Sequence, residues 1–340
     1  MIIDLRSDTF TMPTPAMREA MWQAPAGDDV FGEDPSVNEL EAYTANLFGK
    51  EAALYCPSGT MTNQIAINVH TRPGDEVICE TLSHVYIYEG GGIAFNSGCQ
   101  VKPITGHRGM LTAGQVEAAI NPHDIHKART RVVSLENTTN RGGGACYLWS
   151  ELEAIGTLCK KHGLAYHLDG ARLWNALVAR GENAAQYGHL FDSISVCLSK
   201  GLGAPVGSVL VGSSTFIQEA RRVRKKFGGG MRQAGFIAAA GLFALQHHVA
   251  RLAEDHTHTR LVAEALKAKS WVGEMLDPET NILIFEVKDT FTAASWCQHM
   301  SAFGVKALPI APHQVRLVFH LDVTPPMVEK LIEIIGTLPA

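Results

Sequence analysis

Between residues 50 and 250, short apolar runs that end in polar or glycine-rich turns alternate with stretches whose apolar residues fall at helical spacing. The runs 51–56, 76–79, 131–135, 164–168, 193–198 and 208–211 have strand length and composition. Between two of them, residues 151–161 place Leu152, Ile155, Leu158 and Cys159 on one helical face. Ser36, with Glu39 three residues later, forms a capping-box pattern that opens a helix to Leu47. Residues 61–70, after Ser58-Gly59-Thr60, read as another helix. Such alternation implies an α/β domain with a mostly parallel sheet, which gathers ligands at the carboxyl ends of its strands.

The texture changes near residue 250. Residues 247–269 read as one long polar helix, 281–287 and 314–319 as strands, and 325–335 as a final helix. This is an α+β pattern. At 340 residues the chain exceeds what one core usually holds, so it divides into 1–250, an N-terminal arm with a large domain, and 251–340, a small C-terminal domain.

With 46% hydrophobic residues the chain has ample material for both cores, which excludes disorder. Its 29 Lys+Arg against 34 Asp+Glu leave a net charge of −5, with no positive excess to release counterions from nucleic acid. The opening Met1-Ile2-Ile3-Asp4-Leu5-Arg6-Ser7-Asp8 has no signal-peptide apolar segment, and no run approaches the ~20 residues that span a bilayer. A soluble, cytoplasmic protein without a membrane partner is expected. Seven scattered cysteines with no CxxC pair suggest buried small apolar residues, not a disulfide framework or zinc site.

Three features at expected strand ends could carry chemistry. The run 164–168 ends at Asp169-Gly170-Ala171-Arg172, putting a carboxylate and a guanidinium at the ligand-binding edge. The run 193–198 ends at Ser199-Lys200-Gly201-Leu202-Gly203, where a lysine is placed as a nucleophile or base. Pro57-Ser58-Gly59-Thr60 offers hydroxyls and backbone N–H groups at a helix start, a cradle for an anion. Anion cradle, carboxylate and, 31 residues after it, lysine are the set that pyridoxal phosphate (PLP) needs for its phosphate, ring nitrogen and aldehyde.

Six segments then carry a family resemblance: Asp4-Leu5-Arg6-Ser7-Asp8-Thr9, Gly27-Asp28-Asp29-Val30-Phe31-Gly32, Ser134-Leu135-Glu136-Asn137-Thr138, His167-Leu168-Asp169-Gly170-Ala171-Arg172, Cys197-Leu198-Ser199-Lys200-Gly201-Leu202-Gly203 and Gly228-Gly229-Gly230-Met231-Arg232-Gln233. In this order they resemble the low-specificity L-threonine aldolases, from the N-terminus to about His320. The resemblance implies the aspartate-aminotransferase-like (type I) PLP fold. It also implies retro-aldol cleavage of L-threonine or L-allo-threonine to glycine and an aldehyde. A β-eliminating lyase or an aminotransferase on the same scaffold is the alternative.

The resemblance also implies roles. Lys200 would hold PLP covalently, Asp169 would pair with the pyridine nitrogen, and His84 would stack on the ring. Ser58, Gly59 and Thr60 would hold the phosphate, joined by Lys225 and Arg232 from a neighbouring subunit. Arg172 would contact the ring's phenolic oxygen and, with Ser7 and Arg316, clamp the substrate carboxylate. His126 would approach the substrate hydroxyl and Glu89 would lie near the proton path, with His84 and His126 both open as its base. Many relatives carry Tyr at the position of Phe31, in a loop expected to reach the adjacent subunit's substrate pocket. A homo-oligomer is implied, at least a dimer and by resemblance a tetramer built as a dimer of dimers.

Other patterns point to no further chemistry. The basic run Arg221-Arg222-Val223-Arg224-Lys225-Lys226 reads as a solvated helix face. His247-His248 and His256-Thr257-His258 lack HExxH spacing and read as exposed helix histidines, so no metal is expected. Gly201-Leu202-Gly203 with Gly207 has the wrong spacing for a dinucleotide fingerprint and contains Pro205.

Overall fold

The computed structural model describes residues 1–289 and 291–338. It opens with β1 (Ile3–Asp4). Seven strands follow: β2 (Ala52–Cys56), β3 (Asp75–Glu80), β4 (Gln100–Ile104), β5 (Arg129–Glu136), β6 (Ala165–Gly170), β7 (Ser193–Cys197) and β8 (Ser208–Gly212). They form one sheet in the order β2-β8-β7-β6-β5-β3-β4. Neighbours from β7 to β4 are parallel, and β8 runs antiparallel to both β7 and β2. β3, β7 and β8 are buried along their whole length, as strands covered by helices on both faces must be.

β4 has no counterpart in the sequence reading. Its residues are half-exposed and Pro103 interrupts it, which the sheet edge tolerates because no partner needs that N–H. The helix expected to open at Ser36 starts instead at Pro35, with Asp34 as its cap. Asp34 accepts from Val37 N at 3.0 Å and from Gly235 N at 2.7 Å, so one buried carboxylate caps this helix and tethers a distant one.

The long helix expected over 247–269 is Leu252–Lys267; residues 248–251 form a turn that sets it 70° from the preceding helix, Gly235–His247. His248 at the break bonds the Leu202 carbonyl at 2.7 Å. His248, His256 and His258 are buried, not exposed, because this bent pair packs inward. His256 meets Asn175 at 3.0 Å, and burial pulls its pKa down to about 4. The basic run likewise turns partly inward: Arg224 is buried on Asp29 at 2.9 Å, and Arg221 pairs with Glu41. Among the described residues no single helix is long and apolar enough to cross a membrane.

The remaining strands are β9 (Val272–Met275), β10 (Ile282–Val287), β11 (Val305–Lys306), β12 (Leu308–Pro309) and β13 (Gln314–Val318). Four of them make an antiparallel sheet in the order β12-β13-β10-β9, while β11 pairs in parallel with β1. Trp271, Phe285, Trp296 and Phe319 build a core here, separate from the one around the large sheet, and Ile3 and Leu5 pack into it. The first residues of the chain therefore cross to the C-terminal sheet.

Candidate active site

The carboxyl ends of β3, β5, β6 and β7 lie along one edge of the large sheet, with the start of β8 beside them. Asp169, at the end of β6, is 2% exposed. Its Oδ1 accepts from Ala171 N at 3.1 Å and its Oδ2 from Asn63 Nδ2 at 2.9 Å. His84 opens a short helix after β3, where its N–H donates to Glu136 at 2.6 Å. Its Nδ1 donates to Glu89 at 3.0 Å, which leaves Nε2 free. Ligand atoms of His84, Glu89 and Asp169 all lie within 4.8 Å of one another. Lys200, in the turn after β7, places its ammonium where it acts on Asp8, His84 and Cys197.

Burial works against a charged His84, but the Glu89 hydrogen bond and the charges of Asp169 and Glu89 outweigh it and raise the pKa. Burial and the charge of Asp169 push Glu136 up as well, against the backbone bonds it accepts from His84 and Asn140. The edge thus holds three carboxylates and one imidazole, with the amine of Lys200 within electrostatic reach of them. Beside it the helix Gly59–His70 presents its free N-terminal N–H groups, with Ser58 as its cap.

A second group of charges flanks the first. Arg172 is buried and gives Nε and Nη2 to Asp8, both at 2.7 Å. Burial would raise the Asp8 pKa, but the charge and hydrogen bonds of Arg172 hold it down at about 2. Arg316, on β13, donates to Asn140 at 2.7 Å and to the Arg6 carbonyl at 3.3 Å, while its buried Nε has no partner. Burial and the charge of Arg172 lower its pKa to about 10, which leaves it cationic at neutral pH. Ser7 lies between, accepting from Thr9 N and Thr9 Oγ1. Asp8 is bonded to Arg172 and acts on Arg316 through its charge alone, so the buried Nε–H of Arg316 is a donor that could take a further anion.

Comparison with known proteins shows the family of the chain. A model of the beta-eliminating lyase family matches residues 4–290. The low specificity L-threonine aldolase of Escherichia coli O157:H7 is 45% identical over 326 residues, covering 95% of this chain and 95% of that protein. The chain belongs to the low-specificity L-threonine aldolases, within the beta-eliminating lyase family. The low-specificity L-threonine aldolase 1 of Arabidopsis thaliana is 42% identical over 329 residues, 95% of this chain and 92% of that one. Among solved structures, the threonine aldolase of Leishmania major superposes with a TM-score of 0.86 at 22% identity, covering 98% of both chains. A serine palmitoyltransferase from Sphingomonas wittichii follows with 0.76 at 16% identity, covering 99% of this chain and 89% of that one. These two show the fold, which is the type I fold of PLP enzymes.

Measured against the roles that membership in the aldolase family suggests, one chain assembles only part of the set. Lys200, Asp169, His84, Glu89, Arg172, Ser7, Arg316 and the Ser58-Gly59-Thr60 turn converge as described. His126 does not join them. It is largely exposed, bonds Asp124 at 2.9 Å, and precedes β5, whose far end bears Glu136. That strand's 8 residues, at ~3.3 Å each, separate it from the cluster by roughly 23 Å. Phe31 is 73% exposed and lines a cleft of about 610 Å³ with Val30, Lys225 and Gly230, while Arg232 pairs with Asp28 at 2.8 Å. These residues form a separate face next to the helix Gly59–His70, where Gly229 abuts Met61.

Sequence reading missed Asp8, Asn63, Glu136 and Asn140 as parts of the site. Asp8 and Glu136 stood inside quoted motifs, and both are buried carboxylates. Asn63 gave a weaker sign, a polar residue on a helix face otherwise carrying Ile65, Ala66 and Ile67.

Proposed function

We infer that this protein is a PLP-dependent aldolase that cleaves L-threonine and L-allo-threonine to glycine and acetaldehyde, and runs the reaction in reverse. The observation that carries the reading is the pairing of an amine, a carboxylate and a helix N-terminus with two neighbouring guanidiniums, one of which has a buried N–H without a partner. The first three match the aldehyde, ring nitrogen and phosphate of PLP, and the last matches a substrate carboxylate. When bound, PLP supplies the electron sink for the pair left on Cα as the Cα–Cβ bond breaks.

The chain's own groups divide the remaining work. Lys200 holds the cofactor covalently, Asp169 takes the ring nitrogen, and His84 covers the ring. Gly59 and Thr60 N–H groups, with Ser58, hold the phosphate together with Lys225 and Arg232 of a neighbouring copy. Arg316 offers its unpaired Nε to the substrate carboxylate, with Arg172 fixed beside it by Asp8 and with Ser7. A carboxylate held this way fixes which Cα bond stands across the ring, so the clamp selects the reaction as well as the substrate. His84, its Nδ1–H committed to Glu89, keeps Nε2 for the β-hydroxyl proton. A part for His126 requires a second copy of the chain, as does one for Phe31.

We read the enzyme as a cytoplasmic oligomer, a tetramer by family resemblance. Supporting this, Phe95, Ile125, Trp22 and Phe31 are each more than 70% exposed, large apolar side chains that a neighbouring copy would cover. Light scattering alongside an activity assay tests it, and a fully active monomer overturns it. The test of the reaction itself is a product assay with both substrates, wild type against Lys200→Ala. Glycine and acetaldehyde in equal amounts, lost in the variant, support the aldolase; a keto acid or ammonia without glycine overturns it.

A further inference from the structure

Behind Asp169 a line of hydrogen bonds runs between the helix Gly59–His70 and the large sheet. Asn63 Nδ2 donates to Asp169 at 2.9 Å and to Glu89 at 3.0 Å. Its Oδ1 meets His167 Nε2 at 3.1 Å, His167 Nδ1 meets Ser193 Oγ at 2.9 Å, and Ser193 Oγ meets His70 Nε2 at 2.8 Å. The helix Gly59–His70 supplies both Asn63 and His70, two turns apart on one face, and the β6–β7 register puts His167 opposite Ser193. His70 stacks on Phe216 at 4.6 Å and lines a surface cleft with Arg131 and Asp192. The line therefore joins the site edge to the protein surface.

Its direction is fixed. Two carboxylates can only accept, so they hold both amide protons of Asn63, and Asn63 Oδ1 must then accept. His167 has to carry its proton on Nε2 and accept at Nδ1 from the Ser193 hydroxyl. Ser193, its one proton spent, accepts from His70 Nε2–H. Burial lowers the pKa of His70 to about 4 and of His167 to about 3, so each is a neutral imidazole with one donor and one acceptor, as the line demands.

We propose that Asn63, His167, Ser193 and His70 act as a one-way series of donors that anchors and polarises the Asp169 carboxylate against the cofactor's ring nitrogen. Each donor strengthens the next, so the outermost imidazole acts on Asp169 without touching it. These are positioning residues, and the assignment rests on the reading of Asp169 as the ring-nitrogen partner. Weaker donation leaves more proton affinity on Asp169, draws the shared proton from the ring, and lowers the ring's capacity to take up electrons.

The test combines neutron diffraction of the holoenzyme with Ser193→Ala, His70→Phe and Asn63→Ala. Deuterons on Nε2 of both His70 and His167 are expected, and one on Nδ1 of either overturns the direction. The lysine-bound cofactor's absorption band should titrate at higher pH in all three variants, most in Asn63→Ala. With KM little changed, kcat should fall about tenfold in Asn63→Ala and about two- to threefold in the others, and Ser193→Thr should restore it. His70→Phe keeps the stack on Phe216, so a structural role alone leaves the band where it was. Should Asn63→Ala fail to fold, the two outer variants decide. An unmoved band in folded Ser193→Ala and His70→Phe overturns the line. Asp169→Asn separates the two claims: if it moves or abolishes the band while the outer variants do not, only the line fails. If it leaves the band unchanged, the placing of Asp169 fails.

Discussion

The Asp8–Arg172 pair shows how one side chain serves both stability and binding. Because its folded pKa of about 2 lies below the ordinary 3.8, Asp8 stabilises the fold fully above that ordinary value and loses its contribution as pH falls toward 2. By linkage this amounts to about 2 kcal/mol, and the acid unfolding of Asp8→Asn should lack that part of its slope between those limits. Asp8→Ala leaves Arg172 buried without a counter-charge and should cost roughly 3–5 kcal/mol in denaturant unfolding. At His84 the sign is opposite: Glu89 supports the imidazolium, so in Glu89→Gln the His84 titration followed by NMR should move to lower pH. Lys200, Asp169 and Arg172 were legible as residues because charged groups at the end of apolar runs are conspicuous. Asn63 and Asp8 were not, since their importance arises from partners 106 and 164 residues away.

Among elements, the helix Gly59–His70 has the most to do: its first turn faces the proposed phosphate site, its middle holds Asn63, and its last residue is His70. Ser58 caps it, accepting from Met61 N at 3.2 Å. Ser58→Ala should therefore cost about 1 kcal/mol in thermal or denaturant unfolding and also raise the concentration of cofactor needed to saturate the protein. The strands of the large sheet were readable because each is a compact apolar run. β4 escaped because an edge strand needs neither continuous burial nor every backbone donor. The start of Leu252–Lys267 was placed about five residues early because Val249 and Ala250 fit a helix as well as a turn; the turn is held where His248 bonds the Leu202 carbonyl. His256 was misjudged for a related reason: polarity on a helix suggests solvent until a second polar partner, here Asn175, is packed against it.

At the scale of the whole molecule, two cores are joined by the crossing N-terminal segment. Leu5, fully buried in the second core, stands three residues before Asp8 in the first site. Leu5→Ala should cost about 2–5 kcal/mol and, by loosening the segment, raise KM for the amino acid more than it changes kcat. Steady-state kinetics beside a urea titration measure both. The same crossing orders events during synthesis. Ile3 pairs with Val305, and the Leu5 carbonyl receives Val318, so residues 3 to 5 leave the ribosome long before the strand partners on which they dock. A nascent chain that has completed the large sheet still holds Arg172 without its carboxylate. The ability to grip an amino acid is thus withheld until residues 305 to 318 have emerged, and a polypeptide interrupted before them has the scaffold of the enzyme but lacks its clamp.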